Sequence, residues 1–262
     1  MLKYLSKEVI FMSYNEYNEN PVQKTYKQRK KKKLKRKVKV IISLFIFIMI
    51  TMFLISDYPR VKSIKIEGVH QTPQQEILKH ISLKPSSYYF FINKEKVIKE
   101  IKQLPTIKKA SIDIDLIGNV VIGVEEATPI AYASLNNKIY AINDIGRIVK
   151  VDQTKQRDEL KVLPYIQNFQ SKTMLEEFAR GFYKVPTLMQ NEMSDIILEP
   201  QAADPTRLKC LMKDNKVVYV RVEDVATKLN THQFSYEALK NEHKNACYFS
   251  IEGRNVYTRS CQ

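Results

Sequence analysis

Sixteen consecutive residues, Val40–Ile55 (VIISLFIFIMITMFLI), contain no charge, no Pro and no Gly. At about 1.5 Å per helical residue the run spans about 24 Å, a little under the ~30 Å hydrocarbon core of a bilayer. Its polar members, Ser43 and Thr51, can turn their hydroxyls onto the helix's own carbonyls. Lys39 can snorkel its ammonium to the headgroups, while Ser56, Asp57 and Tyr58 mark the far interface and Pro59 stops the helix. A buried core helix would keep a polar stripe, and a signal peptide would be followed by a small-x-small cleavage site. Neither pattern is found here, so the run reads as one uncleaved membrane anchor, residues 40–57.

Beyond Pro59 the pattern changes to short alternating and helical segments. In Val61–Glu67, Ile64 and Ile66 alternate with Ser63, Lys65 and Glu67, a half-buried strand ended by Gly68. Thr72-Pro73-Gln74-Gln75 reads as a helix start with Thr72 as cap, followed by apolar Ile77, Leu78 and Ile81. Asn93 caps a second helix whose Val97, Ile98, Ile101 and Leu104 share a face, with Pro105 closing it. Between the helices, Tyr88-Tyr89-Phe90-Phe91 is expected to plug the core. Ala110–Leu116 then alternates, placing Ile112, Ile114 and Leu116 inward, and Gly118-Asn119 turns it into a return strand through Val120, Ile122 and Val124. The order strand, helix, helix, strand, strand fills residues 59–128 with one sheet covered by two helices.

Residues 129–260 repeat the hairpin pattern. Ile130–Leu135 and Lys138–Ile142 flank Asn136-Asn137, and Asp144–Gly146 turns into Ile148–Val151. Residues 152–161 read as loop. Thr173 with Glu176 forms a capping box for a helix bearing Leu175, Phe178 and Phe182. A strand at Asp195–Glu199 precedes a hairpin, Leu208–Met212 with Val217–Val222, around Asp214-Asn215. A helix is expected from about Glu223 to Lys240, then two final strands, Tyr248–Ile251 and Val256–Arg259, around Gly253-Arg254. The fold class is therefore α+β: one N-terminal transmembrane helix, a β-α-α-β-β domain, then a mostly antiparallel β-rich domain with helices.

Charge gives the anchor a direction. The formal net charge is +15, but residues 1–39 hold 13 Lys+Arg and 3 acids, leaving only +5 for the rest. Eleven Lys or Arg and no acid lie between Lys24 and Lys39. The positive-inside rule puts residues 1–39 in the cytoplasm and the bulk outside. Arg29, Lys30, Lys31, Lys32, Lys33, Lys35, Arg36, Lys37 and Lys39 are then the membrane-surface residues, facing anionic lipid. No aromatic residue interleaves Arg29–Lys39 to stack bases, so the tail is not read as a nucleic-acid footprint. Cys210, Cys247 and Cys261 all lie outside; the odd number argues against a disulfide framework, and the cysteines are expected to be dispensable. A Cys247–Cys261 bridge across the last hairpin is conceivable as the exception.

A search for catalytic chemistry yields little. His70, His80, His232 and His243 are scattered, away from metal-ligand spacing with Cys210 or Cys247. Gly-x-Ser-x-Gly, Gly-x-x-x-x-Gly-Lys and His-Glu-x-x-His are absent from the sequence. Asp113 and Asp115 read as solvent-facing strand positions, and Glu125-Glu126 as strand-exit charge with side chains pointing apart. A cell-wall-modifying enzyme is disfavoured on these grounds: no catalytic residues, cofactor, metal or small-molecule substrate are expected. Binding through a sheet edge remains, and the last strand, Val256, Tyr257, Thr258 and Arg259, is the candidate.

The unit just outside the anchor resembles a POTRA domain. VKSIKIEGVHQTPQQEIL resembles that family's strand–Gly–helix entry, and GNVVIGVEEATPIAYA its closing strand, with weaker agreement at Asp144-Ile145-Gly146-Arg147. A basic tail, one span, a POTRA unit and a β-rich domain together resemble the FtsQ/DivIB family of bacterial cell-division proteins. That resemblance implies a scaffold at the division septum that binds FtsL-like and DivIC/FtsB-like bitopic proteins, and through them septal peptidoglycan synthases. It places the partner contact on the terminal strand. The alternative is a POTRA-bearing polypeptide-transport or chaperone component, although residues 129–260 lack the strands of a membrane barrel.

Overall fold

The computed structural model describes residues 21–151, 159–229 and 235–261, with side chains of the first helix from Lys35 onward. Most of the expected loop at 152–161 lies outside those residues. Helix α1, Pro21–Ile55, carries a stretch, Lys35–Ile55, long and apolar enough to cross a membrane, and its side chains are exposed throughout. The chain divides into two compact units: α1 through Arg60 together with Tyr88–Phe90, and the remainder.

In the second unit, β1 (Ser63–Glu67), α2 (Gln74–His80), α3 (Lys94–Ile101), β2 (Ile107–Ile114) and β3 (Asn119–Glu126) follow in the expected order. The three strands form a sheet in the order β1-β3-β2, with β1 parallel and β2 antiparallel to the central β3. Ile77, Val97, Ile101, Ile112, Val120 and Ile122 are buried at its core. Asn93 caps α3 by accepting the Lys96 N–H at 3.0 Å. Gly68, at φ +83°, lies so close to the Val124 carbonyl that a Cβ would overlap it, so only glycine fits that turn.

The second part of this unit runs β4 (Pro129–Leu135), β5 (Lys138–Asn143), β6 (Ile148–Val151), β7 (Tyr165–Gln167), α4 (Lys172–Phe182), α5 (Thr187–Glu192), β8 (Met193–Leu198), β9 (Arg207–Met212), β10 (Val217–Arg221), α6 (Val225–Lys228), α7 (Tyr236–Glu242), β11 (Ala246–Glu252) and β12 (Asn255–Ser260). Among the described residues its strands form one nine-stranded sheet, in the order β12-β11-β10-β9-β8-β7-β4-β5-β6. Antiparallel pairs dominate, but β4/β7, β7/β8 and β10/β11 are parallel. Phe178 and Phe182 of α4 and Phe249 of β11 are among the side chains filling the core beneath the sheet. Asn136 and Asn137, at φ 50° and 59°, make the β4–β5 turn in the conformation that two-residue hairpins favour.

Several expectations are corrected. Thr72 does not cap α2: it is buried, and its hydroxyl meets Thr106 Oγ1 at 3.0 Å, while Pro73 takes the cap position without a side-chain bond. Ser171, not Thr173, caps α4 by accepting the Met174 N–H at 3.2 Å. Leu116 is 84% exposed, because β2 ends at Ile114 and the Asp115 carboxylate folds back onto the amides of Ile117 and Asn119. The helix expected from Glu223 to Lys240 is not continuous. It breaks into a 3-10 turn, Val222–Asp224, then α6 and α7, with Ser235 at extended ψ capping the last through the Ala238 N–H.

The aromatic run is not a core plug either. Tyr89 is buried, but Phe90 and Phe91 are 57% and 79% exposed. The strand β7 had no expectation, because three residues give no readable alternation. The cysteines depart most from expectation: Cys247 and Cys261 form a disulfide, with Cα atoms 4.9 Å apart, while Cys210 is free and buried. Cys247 sits at an irregularity in the register between Ala246 and Tyr248, and its partner Cys261 is the residue just past β12.

Candidate partner-binding edge

β12 is an outermost strand of the nine-stranded sheet, paired on one side with β11. Gly253, at φ +59°, and Arg254 make a two-residue turn, and Glu252 pairs with Asn255 to close it. In such a hairpin the pair flanking the turn exchanges both hydrogen bonds, and the bonded pairs then recur at every second residue. Tyr257 opposite Ser250 and Arg259 opposite Tyr248 are therefore bonded across the ladder. Val256 and Thr258 send their backbone N–H and C=O groups the other way, to the open side.

The side chains alternate too. Val256 packs against the core cluster, while Tyr257 is 56% exposed on the opposite face. There the Arg259 guanidinium carbon lies 5.9 Å from the centre of the Tyr248 ring, so Tyr248, Tyr257 and Arg259 make an aromatic and basic surface beside the open edge. Lys228 braces the turn from the core side with a hydrogen bond to the Gly253 carbonyl. The disulfide ties the end of β12 to β11.

Other expected site residues sit on α1. Lys35, Arg36, Lys37 and Lys39 are exposed on the helix just before the apolar stretch. Arg29, Lys30, Lys31, Lys32 and Lys33 are helical in backbone, and their side chains lie outside the described residues.

Sequence reasoning missed a second cluster, where the POTRA-like unit meets the nine-stranded sheet. The Glu126 carboxylate accepts the backbone N–H groups of His70, Gln71 and Thr72 at 2.7–3.2 Å. Burial alone would raise its pKa, but these donors more than offset that and leave it below the usual glutamate value. The residues Asn143–Arg147 close the junction. Asn143 Nδ2 donates to the Pro105 carbonyl at 2.8 Å, and Arg147 Nη1 to the carbonyls of Lys102 and Leu104 at 2.7 and 3.0 Å. Asp144 accepts from Lys108 Nζ at 2.7 Å and from the Thr128 N–H at 3.1 Å. The hydrogen bond from Lys108 to Asp144 holds the lysine's pKa above its ordinary value.

A cleft of about 530 Å3 opens beside this junction, lined in part by Thr72, Thr106, Glu126 and Asn143. The Glu126 carboxylate in its lining is committed to backbone amides and so holds the turn at residues 70–72. Family likeness pointed here in the stretches that hold His70–Thr72 and Glu126 and, more weakly, at Asp144-Ile145-Gly146-Arg147.

Residues 60–127 match the POTRA domain family of FtsQ type. The cell division protein DivIB of Bacillus subtilis is 24% identical over 244 residues, covering 90% of this chain and 91% of that protein. The chain is therefore similar over most of its length to bacterial DivIB cell-division proteins, and residues 60–127 carry an FtsQ-type POTRA domain. DivIB of Listeria monocytogenes is 27% identical over 211 residues, covering 80% of this chain and 77% of its own. The major extracytoplasmic domain of DivIB from Geobacillus stearothermophilus also matches, at 17% identity and a TM-score of 0.35, over 46% of this chain and 98% of that one. The FtsQ/DivIB match over 60–127 coincides with the β1–β3 unit described above, and the junction at 143–147 follows directly after it.

Proposed function

We propose that this chain is an FtsQ/DivIB-family protein, a non-enzymatic, membrane-anchored scaffold of the bacterial division complex. In this reading residues 1–39 are a cytoplasmic basic tail, 40–57 the anchor, 59–128 the POTRA domain and 129–260 the β domain. The protein is then single-pass with its bulk outside the cell, concentrated at the septum. Val256, Tyr257, Thr258 and Arg259 receive a strand from a bitopic division protein resembling FtsL or DivIC/FtsB, and septal peptidoglycan synthases are engaged through it. The basic residues of the tail meet anionic lipid.

The observation that supports this most is the open side of β12, where two successive outward N–H and C=O pairs adjoin an exposed Tyr and Arg. Strand addition needs that arrangement: main-chain bonds for affinity and a side-chain face for selection. Tyr and Arg are also residue types that carry disproportionate binding energy. The test is affinity capture of the full chain from its native membrane, crosslinked before solubilisation. Bitopic division proteins in the eluate are expected; recovery of polypeptide-secretion components in their place would contradict the scaffold role.

A further inference from the structure

We propose that Phe90 inserts into the outer boundary of the lipid bilayer, giving the chain a second membrane foothold besides α1. The inference rests on α1 being the membrane span.

The last turn of that helix is not bare. The Tyr88 hydroxyl donates to the Leu54 carbonyl at 3.1 Å, across 34 residues of sequence. The Phe90 ring lies 6.1 Å from the Phe53 ring, which is itself 5.9 Å from that of Tyr58. The Tyr89 N–H donates to the Pro59 carbonyl at 3.0 Å, and Arg60 and Tyr88 form an isolated antiparallel bridge. The loop is thus fixed to the helix end by backbone and side chain together.

Depth follows from this. A residue beside Phe53 shares its level, within the last turn of the apolar run and about one turn below Ser56-Asp57-Tyr58. That level is the boundary between acyl chains and headgroups, where aromatic rings are enriched. Phe90 nevertheless keeps 57% of its surface exposed. In water a Phe side chain so exposed would be costly, and a bilayer that α1 already crosses is the apolar phase at hand. The surroundings suit an interface as well: Arg60 lies 5.7 Å over the Tyr88 ring and pairs with Asp57 at 3.6 Å, so charged and aromatic groups meet at the helix end.

The chain contains no Trp, so one introduced indole reports alone. Full-length F90W and, separately, F45W are reconstituted into phosphatidylcholine–phosphatidylglycerol vesicles. Some vesicles carry lipids brominated near the top of the acyl chains and some near the middle. Phe45 lies in the middle of the span and marks whether α1 crosses. Free N-acetyltryptophanamide gives the aqueous reference. The expected result is blue-shifted F90W emission, losing most of its intensity to shallow bromines and little to aqueous acrylamide, with F45W quenched best by deep ones. If F45W is quenched while F90W emits like the aqueous reference, the foothold is wrong and the span stands. If neither is quenched by lipid, the span fails and the foothold with it.

Discussion

Glu126 shows how one side chain can hold a turn together. Three consecutive amides, those of His70, Gln71 and Thr72, point at one carboxylate that arrives from the end of β3. Its pKa is depressed, so the stabilisation is full above the ordinary glutamate value near 4.5 and is lost as pH falls through the lower folded value. Glu126→Gln is expected to cost about 1–2 kcal/mol at pH 7, since solvent reaches the site and weakens each bond. In denaturant unfolding of the full chain in detergent, the gap between wild type and variant should close in acid. A gap that persists unchanged at pH 3 would contradict this role. The thiol of Cys210 behaves differently. Burial pushes its pKa up to about 12, so maleimide should leave it unlabelled until the protein unfolds. The sequence presented Glu126 as one of two adjacent surface acids. The amides that give it a role come from residues 54 to 56 positions earlier, and no local pattern records such a pairing.

At the scale of elements, periodicity made the longer pieces readable and left the joints obscure. The alternation in β3 and the helical spacing in α3 each announced a buried face, and both faces are buried. Caps were misplaced by a residue or two, because Ser171 and Thr173 both satisfy the local rule and tertiary fit chooses between them. Phe90 and Phe91 were assigned to a core on hydrophobicity alone, which cannot distinguish a protein interior from a membrane boundary. The junction loop was legible only as a weak family likeness, yet Arg147 supplies the carbonyls after α3 with a cation, as favoured at a helix C-terminus. Arg147→Ala should speed hydrogen exchange at residues 102–108 while leaving β9 and β10 protected. Equal exchange in variant and wild type there would show that the arginine holds nothing. The Cys247–Cys261 bridge belongs to the same scale. It closes a segment of sequence separation 14, and in the chain-entropy account a loop of this size contributes about 3 kcal/mol. Cys261→Ser is therefore expected to loosen β12, read as faster proteolysis of the terminal hairpin. Mass spectrometry of the unreduced protein should recover the 247 and 261 peptides linked.

Over the whole molecule, charge and hydropathy set the order of parts. The basic tail and apolar run were visible in composition because, in the proposed reading, they answer to a solvent, the bilayer, and not to particular contacts. Protease added to intact spheroplasts should digest residues from about 60 onward and spare the tail. Exchange of Arg29–Lys37 for an unrelated Lys/Arg run should leave orientation and division intact, since lipid attraction depends on charge and not on order. The two-residue turn at Gly253-Arg254 was legible and gives β12 one neighbour, β11, in its own hairpin. That β11 turns its other side to β10 in parallel was not foreseeable, and it is this pairing that makes β12 the outer strand.

Binding of a DivIC-like partner's extracytoplasmic segment to the full chain in nanodiscs is the most direct measurement of the scaffold role, made on wild type, Tyr257→Ala and Thr258→Pro with a thermal melt beside each. Thr258 turns its N–H away from β11, so Pro there removes a donor from the open side while leaving the hairpin's own ladder intact. The account predicts that both variants melt near the wild-type temperature, that Thr258→Pro abolishes binding, and that Tyr257→Ala weakens it by about 2 kcal/mol, or roughly thirtyfold. Wild-type affinity in both folded variants would contradict β12 as the docking edge.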